Sequence, residues 1–207
     1  MTTLLLVRHG ETDWNAARRI QGSADIPLNE VGRAQARETA AVLVERLRGT
    51  TPALVSSDLS RARETAQIIG AALGLPEPEL YPQLRERAYG VAEGMTDTEY
   101  RAAFGEFNRD NVPDAETNAH LRARAVSAVR RIVRDARRSH APVDVPVIAV
   151  AHGGLIAQLI RHASGGQLPL SGERIANAST HTFLVERDRL AVVEYAAVQI
   201  EPTVPVG

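Results

Sequence analysis

Two almost wholly apolar segments, far apart in the chain, each end in a histidine followed by a glycine. The first runs from Thr3 to Val7 and meets Arg8-His9-Gly10, and the second runs from Val145 to Ala151 and meets His152-Gly153. A strand with water on one face alternates apolar and polar residues, whereas an apolar run fits a strand covered on both faces. We therefore expect two central parallel strands with helices packed on either side of them.

Helical patterns separate the predicted strands. Apolar residues at spacings of three and four predict helices over 59–73 and 121–136, and Gly74 and Pro76 end the first of them. Further helices are predicted over 29–48 and after His152, and further strands over 53–55, 79–84, 182–185 and 190–198. This alternation predicts an α/β fold with a doubly wound, mostly parallel sheet and helices on both faces, in three α/β/α layers.

The length of 207 residues favours one domain over 1–207, because it fits a single core and no shift in composition marks a boundary. From Gly90 to Pro113 the pattern is weak, and Thr96 stands out as a candidate cap of a short helix. We interpret this stretch as an insertion. The last residues, which include Pro202 and Pro205, are expected to lie loose.

Charge and composition exclude several classes of protein. The 24 basic and 25 acidic residues nearly cancel to a net charge of -1, which argues against a surface for nucleic acid or an anionic membrane. The chain has no cysteine, so it holds no disulfide or thiolate metal site, and a reducing cytoplasm suits it. No apolar run is long enough for a signal peptide or a membrane span. We expect a soluble protein of the cytoplasm.

Residues of catalytic type follow several of the predicted strands. Arg8 and His9, Arg61, Glu86 and His152 each come at or just beyond a strand end. In a doubly wound sheet the ligand site lies outside the carboxyl ends of the strands. One crevice is therefore predicted to collect two histidines, two arginines and a carboxylate.

The two histidines suit phosphoryl transfer. A neutral imidazole attacks phosphorus near neutral pH, and a covalent intermediate divides one difficult displacement into two, which makes His9 the candidate nucleophile. Gly10 beside it permits close approach of the backbone to a ligand. His152 could donate a hydrogen bond as charge builds on the phosphoryl group. The other histidines lie in no such segment and are interpreted as ordinary ones: His120, His140, His162 and His181.

Phosphate binding and proton transfer need further groups. Arginine offers planar paired donors that match phosphate oxygens, and Arg8 and Arg61 suit that work. Arg63, two residues on, would face elsewhere on the same helix. A carboxyl group must give a proton to the leaving alcohol and later take one from water. The residues alone leave four candidates for this carboxyl group: Glu11, Glu86, Glu93 and Glu116.

Four ordered segments resemble the histidine phosphatase superfamily, also called the phosphoglycerate mutase-like family. They are Arg8-His9-Gly10-Glu11-Thr12, Ser56-Ser57-Asp58-Leu59 with Arg61-Ala62, Leu84 with Glu86, and Ala151-His152-Gly153. The resemblance covers most of the chain. It is weakest over 96–141, where we expect a variable insertion.

The resemblance implies roles for these residues. His9 would be phosphorylated, Glu86 would be the acid and then the base, and no metal or cofactor would be needed. Arg8, Arg61 and His152 would hold the phosphoryl group. Further contacts to the substrate are expected from Asn15, Gln21, Gly22 and Gly153.

The predicted function is hydrolysis of a phosphate monoester of a small metabolite through a phosphohistidine. The alternative is a phosphoglycerate mutase, an isomerase that returns the phosphoryl group to the same carbon skeleton. Mutases usually have histidine where this chain has Ala88. Gly153-Gly154 and Asn177-Ala178-Ser179 resemble phosphatases, and the longer basic insertion of the mutases is missing, so hydrolysis is favoured.

A third interpretation is a non-catalytic protein that binds a phosphorylated ligand on the same fold. Such proteins usually lose a core residue, whereas both histidines, both arginines and Glu86 are present here. The expected partner is a small phosphorylated substrate, with no nucleic acid and no membrane. Assembly into a homodimer stays an open option.

Overall fold

The computed structural model describes residues 1–105 and 112–199. Its strands are β1 (Thr2–Arg8), β2 (Ala53–Ser56), β3 (Glu79–Leu80), β4 (Val147–Ala151), β5 (Glu173–Ile175), β6 (Thr180–Val185), β7 (Leu190–Glu194) and β8 (Ala197–Gln199). Its helices are α1 (Asp13–Ala16), α2 (Glu30–Arg46), α3 (Ser60–Leu73), α4 (Asp97–Phe104), α5 (Asn118–Ser139) and α6 (Gly153–Ala163). Short 3-10 helices lie at Pro82–Leu84 and Gly90–Ala92. The predicted loose tail, with Pro202 and Pro205, lies outside the described residues.

The main sheet has six strands in the order β3-β2-β4-β1-β6-β7. Strands β3, β2, β4 and β1 pair in parallel, whereas β6 pairs antiparallel with both β1 and β7. The predicted mostly parallel sheet is confirmed. β1 and β4 are neighbours with Arg8 opposite Ala151, so His9 and His152 leave the sheet side by side.

Helices cover both faces of the central strands. On one face Leu5 and Val7 of β1 pack with residues of α2 and α3. On the other face Leu4 and Leu6 pack with residues of α5 and α6. Each of the four positions from Leu4 to Val7 therefore meets a helix layer, which explains why this run carries no polar alternation. The three-layer architecture predicted from the sequence is confirmed.

The strand predicted over 79–84 is wrong for most of its length. Only Glu79 and Leu80 pair, with β2, and a 3-10 helix begins at Pro82. Proline has no N–H to donate to a neighbouring strand, so the ladder ends there.

The buried face of α2 combines small residues with one leucine. Asn29 caps the helix by accepting a hydrogen bond from the Gly32 N–H at 2.8 Å. Ala36, Ala40 and Leu43 are buried, while Val31 and Val42 are 53% and 65% exposed. Val31 and Val42 therefore do not lie on the core face of this helix.

Strand β5, which pairs with the C-terminal strand β8, has no signal in the sequence. The strand predicted over 190–198 is divided at Tyr195 and Ala196 into β7 and β8. β7 forms the expected hairpin with β6, whereas β8 pairs antiparallel with β5. Of the three residues of β5 only Ile175 is buried, so β5 shows no readable alternation.

The segment predicted as an insertion contains two different parts. Thr96 caps α4 with a capping box, as expected, and this part has its own small cluster around Tyr100 and Val112. α5 instead buries its predicted apolar stripe in the main core: Leu121, Ala125, Val129, Ile132 and Ala136. Residues 106–111 of the segment are not among those described. No helix in the described ranges is both long and apolar enough to cross a membrane.

Candidate active site

A pocket of about 310 Å³ opens where β1 and β4 end. It is lined by all but one of the residues that the sequence nominates: Arg8, His9, Asn15, Gln21, Gly22, Arg61, Glu86 and Gly153. The exception, His152, is fully buried beside it, and its ring centroid lies 5.1 Å from that of His9. Side chains from distant parts of the chain thus meet at the carboxyl edge of the parallel strands.

Main-chain contacts fix the position of His9. Its N–H donates to the carbonyl oxygen of Ala151 at 3.0 Å, across the pair of β1 and β4. Asn177 Nδ2 donates to the carbonyl oxygen of His9 at 3.2 Å. Nδ1 of the ring lies 2.7 Å from the carbonyl oxygen of Gly10. A carbonyl oxygen can only accept, so Nδ1 carries the hydrogen and Nε2 keeps its lone pair.

Both imidazoles of the site are held in the neutral form. Burial lowers the pKa of His9 well below the usual 6.5, and the charges of Arg8 and Arg61 lower it further. Burial likewise lowers the pKa of His152 well below 6.5, with the charge of Arg61 as the next cause. At neutral pH His9 therefore presents an unprotonated Nε2, which is the form that can attack phosphorus.

His152 is oriented by the end of the neighbouring strand. Its Nε2 lies 2.9 Å from the hydroxyl of Ser57, which follows β2. Its Nδ1 is buried and has no hydrogen-bond partner in the part of the chain that the structure describes. A buried polar atom without a partner is uncommon and is often found where a ligand binds.

Arg61, which is buried, and Arg8, which is half-buried, form the cationic base of the pocket. Arg61 Nη1 donates to the carbonyl oxygen of Ala24 at 2.6 Å, and its Nη2 donates to that of Gly22 at 2.8 Å. Arg8 Nη1 donates to the carbonyl oxygen of Ile175. The Nε atoms of both arginines are buried without a partner among the described residues. The guanidinium groups are thus fixed in place with donors to spare, as an anion site requires.

Burial also affects the charge of these arginines. It lowers the pKa of Arg8 to about 10 and lowers that of Arg61, although the Glu86 carboxylate acts in the opposite direction on both. Both remain cationic at neutral pH. Arg63, the neighbouring alternative on α3, is exposed and does not line the pocket.

The Glu86 carboxylate lies at the N-terminus of α6. It accepts hydrogen bonds from the N–H groups of Gly154 at 2.8 Å and Leu155 at 3.1 Å. A Cβ at Gly154 would lie 2.5 Å from Glu86 Oε1, so a glycine is needed for this approach. α6 begins directly after His152, and its first turn therefore holds the carboxylate next to the two histidines.

The other carboxyl candidates are engaged elsewhere and do not line the pocket. Glu11 accepts from Asn29 Nδ2 at 3.0 Å. Glu93 accepts from the Ser23 hydroxyl at 2.8 Å. Glu116 pairs with a guanidinium of α5 at 2.7 Å. Glu86 is the one member of the four that reaches the pocket among the described residues.

Asn15, Gln21 and Gly22 line the pocket, and two of them also stabilise the local chain. Asn15 completes a capping box with Thr12, and its amide oxygen also accepts from Asn177 Nδ2 at 3.2 Å. Gln21 Oε1 is buried with no partner in the described ranges. Gly22 has φ of 56°, and its carbonyl oxygen holds Arg61. Asn15 and Gly22 therefore have structural functions as well as a place in the pocket wall.

Sequence reasoning missed part of the pocket. Arg19, Tyr89, Tyr100 and Arg174 also line it, and no motif singled them out. The structure also gives Gly10 a different purpose, since a Cβ there would collide with the carbonyl oxygen of Gly32 in the first turn of α2. Within 1–105 and 112–199, no group of three or more histidine or acidic residues is placed to hold a metal ion.

Comparisons with known proteins agree with the geometry. The family model described as histidine phosphatase superfamily (branch 1) matches residues 4–198. The uncharacterized phosphatase PhoE of Bacillus subtilis (strain 168) is 36% identical over 196 residues, which are 94% of this chain and 94% of that protein. The probable phosphoglycerate mutase GpmB of Enterobacter sp. (strain 638) is 37% identical over 184 residues, 84% of this chain and 79% of that protein.

A solved structure extends the comparison to three dimensions. A mycobacterial glucosyl-3-phosphoglycerate phosphatase in complex with VO3 superposes with a TM-score of 0.76 at 31% identity. The match covers 94% of this chain and 98% of that one.

Proposed function

Because the chain belongs to the histidine phosphatase superfamily, we propose that Arg8, His9, Arg61, Glu86 and His152 form its catalytic site. The protein is a phosphomonoester hydrolase that acts on a small phosphorylated metabolite through a phosphohistidine. The observation that carries the assignment of residues is the fixed tautomer of His9, whose Nδ1 donates to Gly10 and whose Nε2 is left free.

In the first step Nε2 of His9 attacks phosphorus. A P–N bond forms, the bond between phosphorus and the ester oxygen breaks, and the alcohol leaves with a proton from Glu86. Bringing a phosphate dianion beside this carboxylate favours its protonation, because two negative charges repel each other. The pocket volume of about 310 Å³ is in the range of sites that bind small molecules, which fits a metabolite.

The phosphoryl group would be held by the guanidinium groups of Arg8 and Arg61. Arg8 and Arg61 carry two positive charges, which match the two negative charges of a phosphate monoester, and each has an unused buried donor. His152 would donate to a phosphoryl oxygen as charge develops. Phosphoryl transfer depends mainly on such positioning and charge stabilisation, so no further cofactor is required of the site.

In the second step water attacks the phosphohistidine. Glu86 now takes a proton from water, the P–N bond breaks, and inorganic phosphate leaves His9 with its lone pair restored. Asn15, Gln21, Gly22 and Gly153 would complete the phosphate site. This part of the proposal is supported by the position of all four residues in the wall of the pocket.

A screen over phosphorylated metabolites, with p-nitrophenyl phosphate as a general substrate, tests this function. We expect phosphate release that survives EDTA and is inhibited by vanadate, because arginines hold the oxyanion. Activity that is lost with EDTA and restored by a divalent metal would overturn the proposed site.

Phosphoglycerate mutase activity is the second candidate, and the similarity to the probable mutase GpmB favours it. Against it, Ala88 stands where mutases usually have histidine. The two activities separate when 3-phosphoglycerate is supplied: a mutase forms 2-phosphoglycerate faster than free phosphate, and a phosphatase does the reverse.

The sequence carries three further proposals. We propose a single domain with a variable insertion at about 96–141, a cytoplasmic location, and assembly as a homodimer. Cell fractionation tests the location, and sedimentation equilibrium of the purified chain tests the assembly.

A further inference from the structure

Four arginines line the catalytic pocket, and three of them have partners in the protein. Arg8 and Arg61 donate to main-chain carbonyl oxygens. Arg19 donates to the carbonyl oxygen of Gly94 at 2.7 Å and lies 3.6 Å from a carboxylate of α4. Within the described residues, the side chain of the fourth, Arg174, forms no hydrogen bond or ion pair.

Arg174 lies in β5, directly before the residue that holds Arg8. The carbonyl oxygen of Ile175 accepts from Arg8 Nη1, so β5 runs past the edge of the proposed phosphate site. The adjacent Glu173 accepts from the Tyr195 hydroxyl at 2.8 Å and from the Leu170 N–H at 2.8 Å. Arg174 is exposed, whereas Ile175 is buried. The guanidinium of Arg174 is thus open to a solute that enters the pocket.

Three carboxylates line the pocket beside the arginines, and among the described residues none of them pairs with Arg174: Glu86, Asp97 and Glu173. A phosphate monoester carries two negative charges, which the guanidinium groups of Arg8 and Arg61 match. Arg174 lies close enough to Arg8 to affect it, and its guanidinium group is available to bind a further anion. Planar guanidinium groups bind carboxylate and phosphate oxygens with paired donors.

We propose that Arg174 binds a second anionic group, a carboxylate or a second phosphate, on the alcohol part of the substrate. The proposal rests on the proposed hydrolase function and narrows its substrate class to phosphate monoesters with a second negative group. Arg174 and the two phosphate-binding arginines line one pocket of about 310 Å³, so a compact molecule with its two anions close together can reach all three.

Matched substrate pairs test this subsite. 3-Phosphoglycerate and glycerol 3-phosphate differ by a carboxylate in place of a hydroxymethyl group. 1,3-Propanediol bisphosphate and its monophosphate differ by a second phosphate. The ratio of kcat/KM within each pair measures recognition of the second anion, and the pair with the larger ratio identifies which anion is bound.

We expect Arg174→Gln to lower this ratio about 10–100-fold in at least one pair, the usual range for one charge-assisted hydrogen bond. Arg63→Gln is the matched control, because it removes the same charge from an exposed position on α3 outside the pocket. It should leave both ratios within about twofold, because most substitutions at such surface sites have small effects.

The outcomes separate the two proposals. The subsite would be overturned if Arg174→Gln leaves both ratios unchanged, or if Arg63→Gln changes them equally. In either case the hydrolase function still stands if the protein cleaves p-nitrophenyl phosphate. A wild-type chain that releases phosphate from none of the substrates would overturn the hydrolase and the subsite together.

Discussion

Nδ1 of His9 donates to the carbonyl oxygen of Gly10 over 2.7 Å, so the nucleophile is oriented by its own chain neighbour. No second side chain is needed to choose the tautomer. The ring presents Nε2 to the pocket before any substrate enters, and burial keeps that nitrogen unprotonated.

His9→Ala should abolish phosphate release, because no other nucleophile among the described residues that line the pocket is placed to accept the phosphoryl group. Wild-type protein incubated with a labelled phosphate ester should carry an acid-labile, alkali-stable label, and the variant should carry none. His162→Ala changes an exposed histidine outside the pocket and should label like wild type. A labelled His9→Ala protein would remove His9 from the nucleophile role.

Glu86→Gln should slow the first step for alkyl phosphates by about 10²–10⁴, because glutamine cannot give a proton to the alcohol. p-Nitrophenyl phosphate releases a stabilised phenolate, so the rate of its first step should fall less. Single-turnover measurements of transfer to His9 check this, since hydrolysis of the intermediate needs the same carboxylate. Glu11→Gln, outside the pocket, is the control. Equal losses for both substrates would exclude Glu86 as the acid.

Gly154→Ala should behave like a weaker Glu86 variant. The added Cβ would lie 2.5 Å from Glu86 Oε1 and push the carboxylate out of the first turn of α6. Misplacement by about 1 Å can cost about 10²-fold in rate, so we expect a loss of that order for alkyl phosphates. Thermal unfolding run in parallel should show a stable fold. Wild-type rates in the folded variant would contradict the proposed placement of Glu86.

His181 should make the protein less stable in mild acid. Its Nδ1 accepts from the Ala196 N–H at 3.2 Å, and burial lowers the pKa of His181 to about 4 from the usual 6.5. Between these two pH values the unfolded chain binds a proton that the folded chain does not. Stability from this group is therefore complete above about pH 6.5 and is lost as the pH falls towards 4.

The size of this effect can be measured by urea unfolding at pH 7 and pH 5. We expect His181 to account for about 2 kcal/mol of the difference in the free energy of unfolding. His181→Gln should reduce the difference by that amount, whereas the exposed His162→Gln should not. An unchanged difference in the His181 variant would show that this histidine titrates normally.

The centre of the site could be predicted because it depends on strand ends. Apolar runs identify β1 and β4, and parallel pairing then places Arg8 opposite Ala151 and brings the two histidines together. Glu86 could not be chosen from chemistry alone, since four carboxyl groups were equivalent in sequence. Its selection came from family resemblance, and its contact with α6 is a tertiary feature.

The remainder of the pocket depends on contacts that leave no local pattern. β5 is three residues long with one buried residue, so neither periodicity nor composition marks Arg174. On α2, Ala36, Ala40 and Leu43 are buried while Val31 and Val42 are exposed, so the apolar residues of this segment do not by themselves identify its core face.

The hydrogen bond from the His9 N–H to the carbonyl oxygen of Ala151 ties the spacing of the two imidazoles to the sheet. A side chain that is displaced can adopt another rotamer, but this spacing changes only if an entire strand slides. Mutations deep in the interior, far from any phosphate, can therefore impair turnover without unfolding the protein. The rim of the pocket, by contrast, is free to diversify towards new alcohols while the same phosphoryl-transfer step is retained.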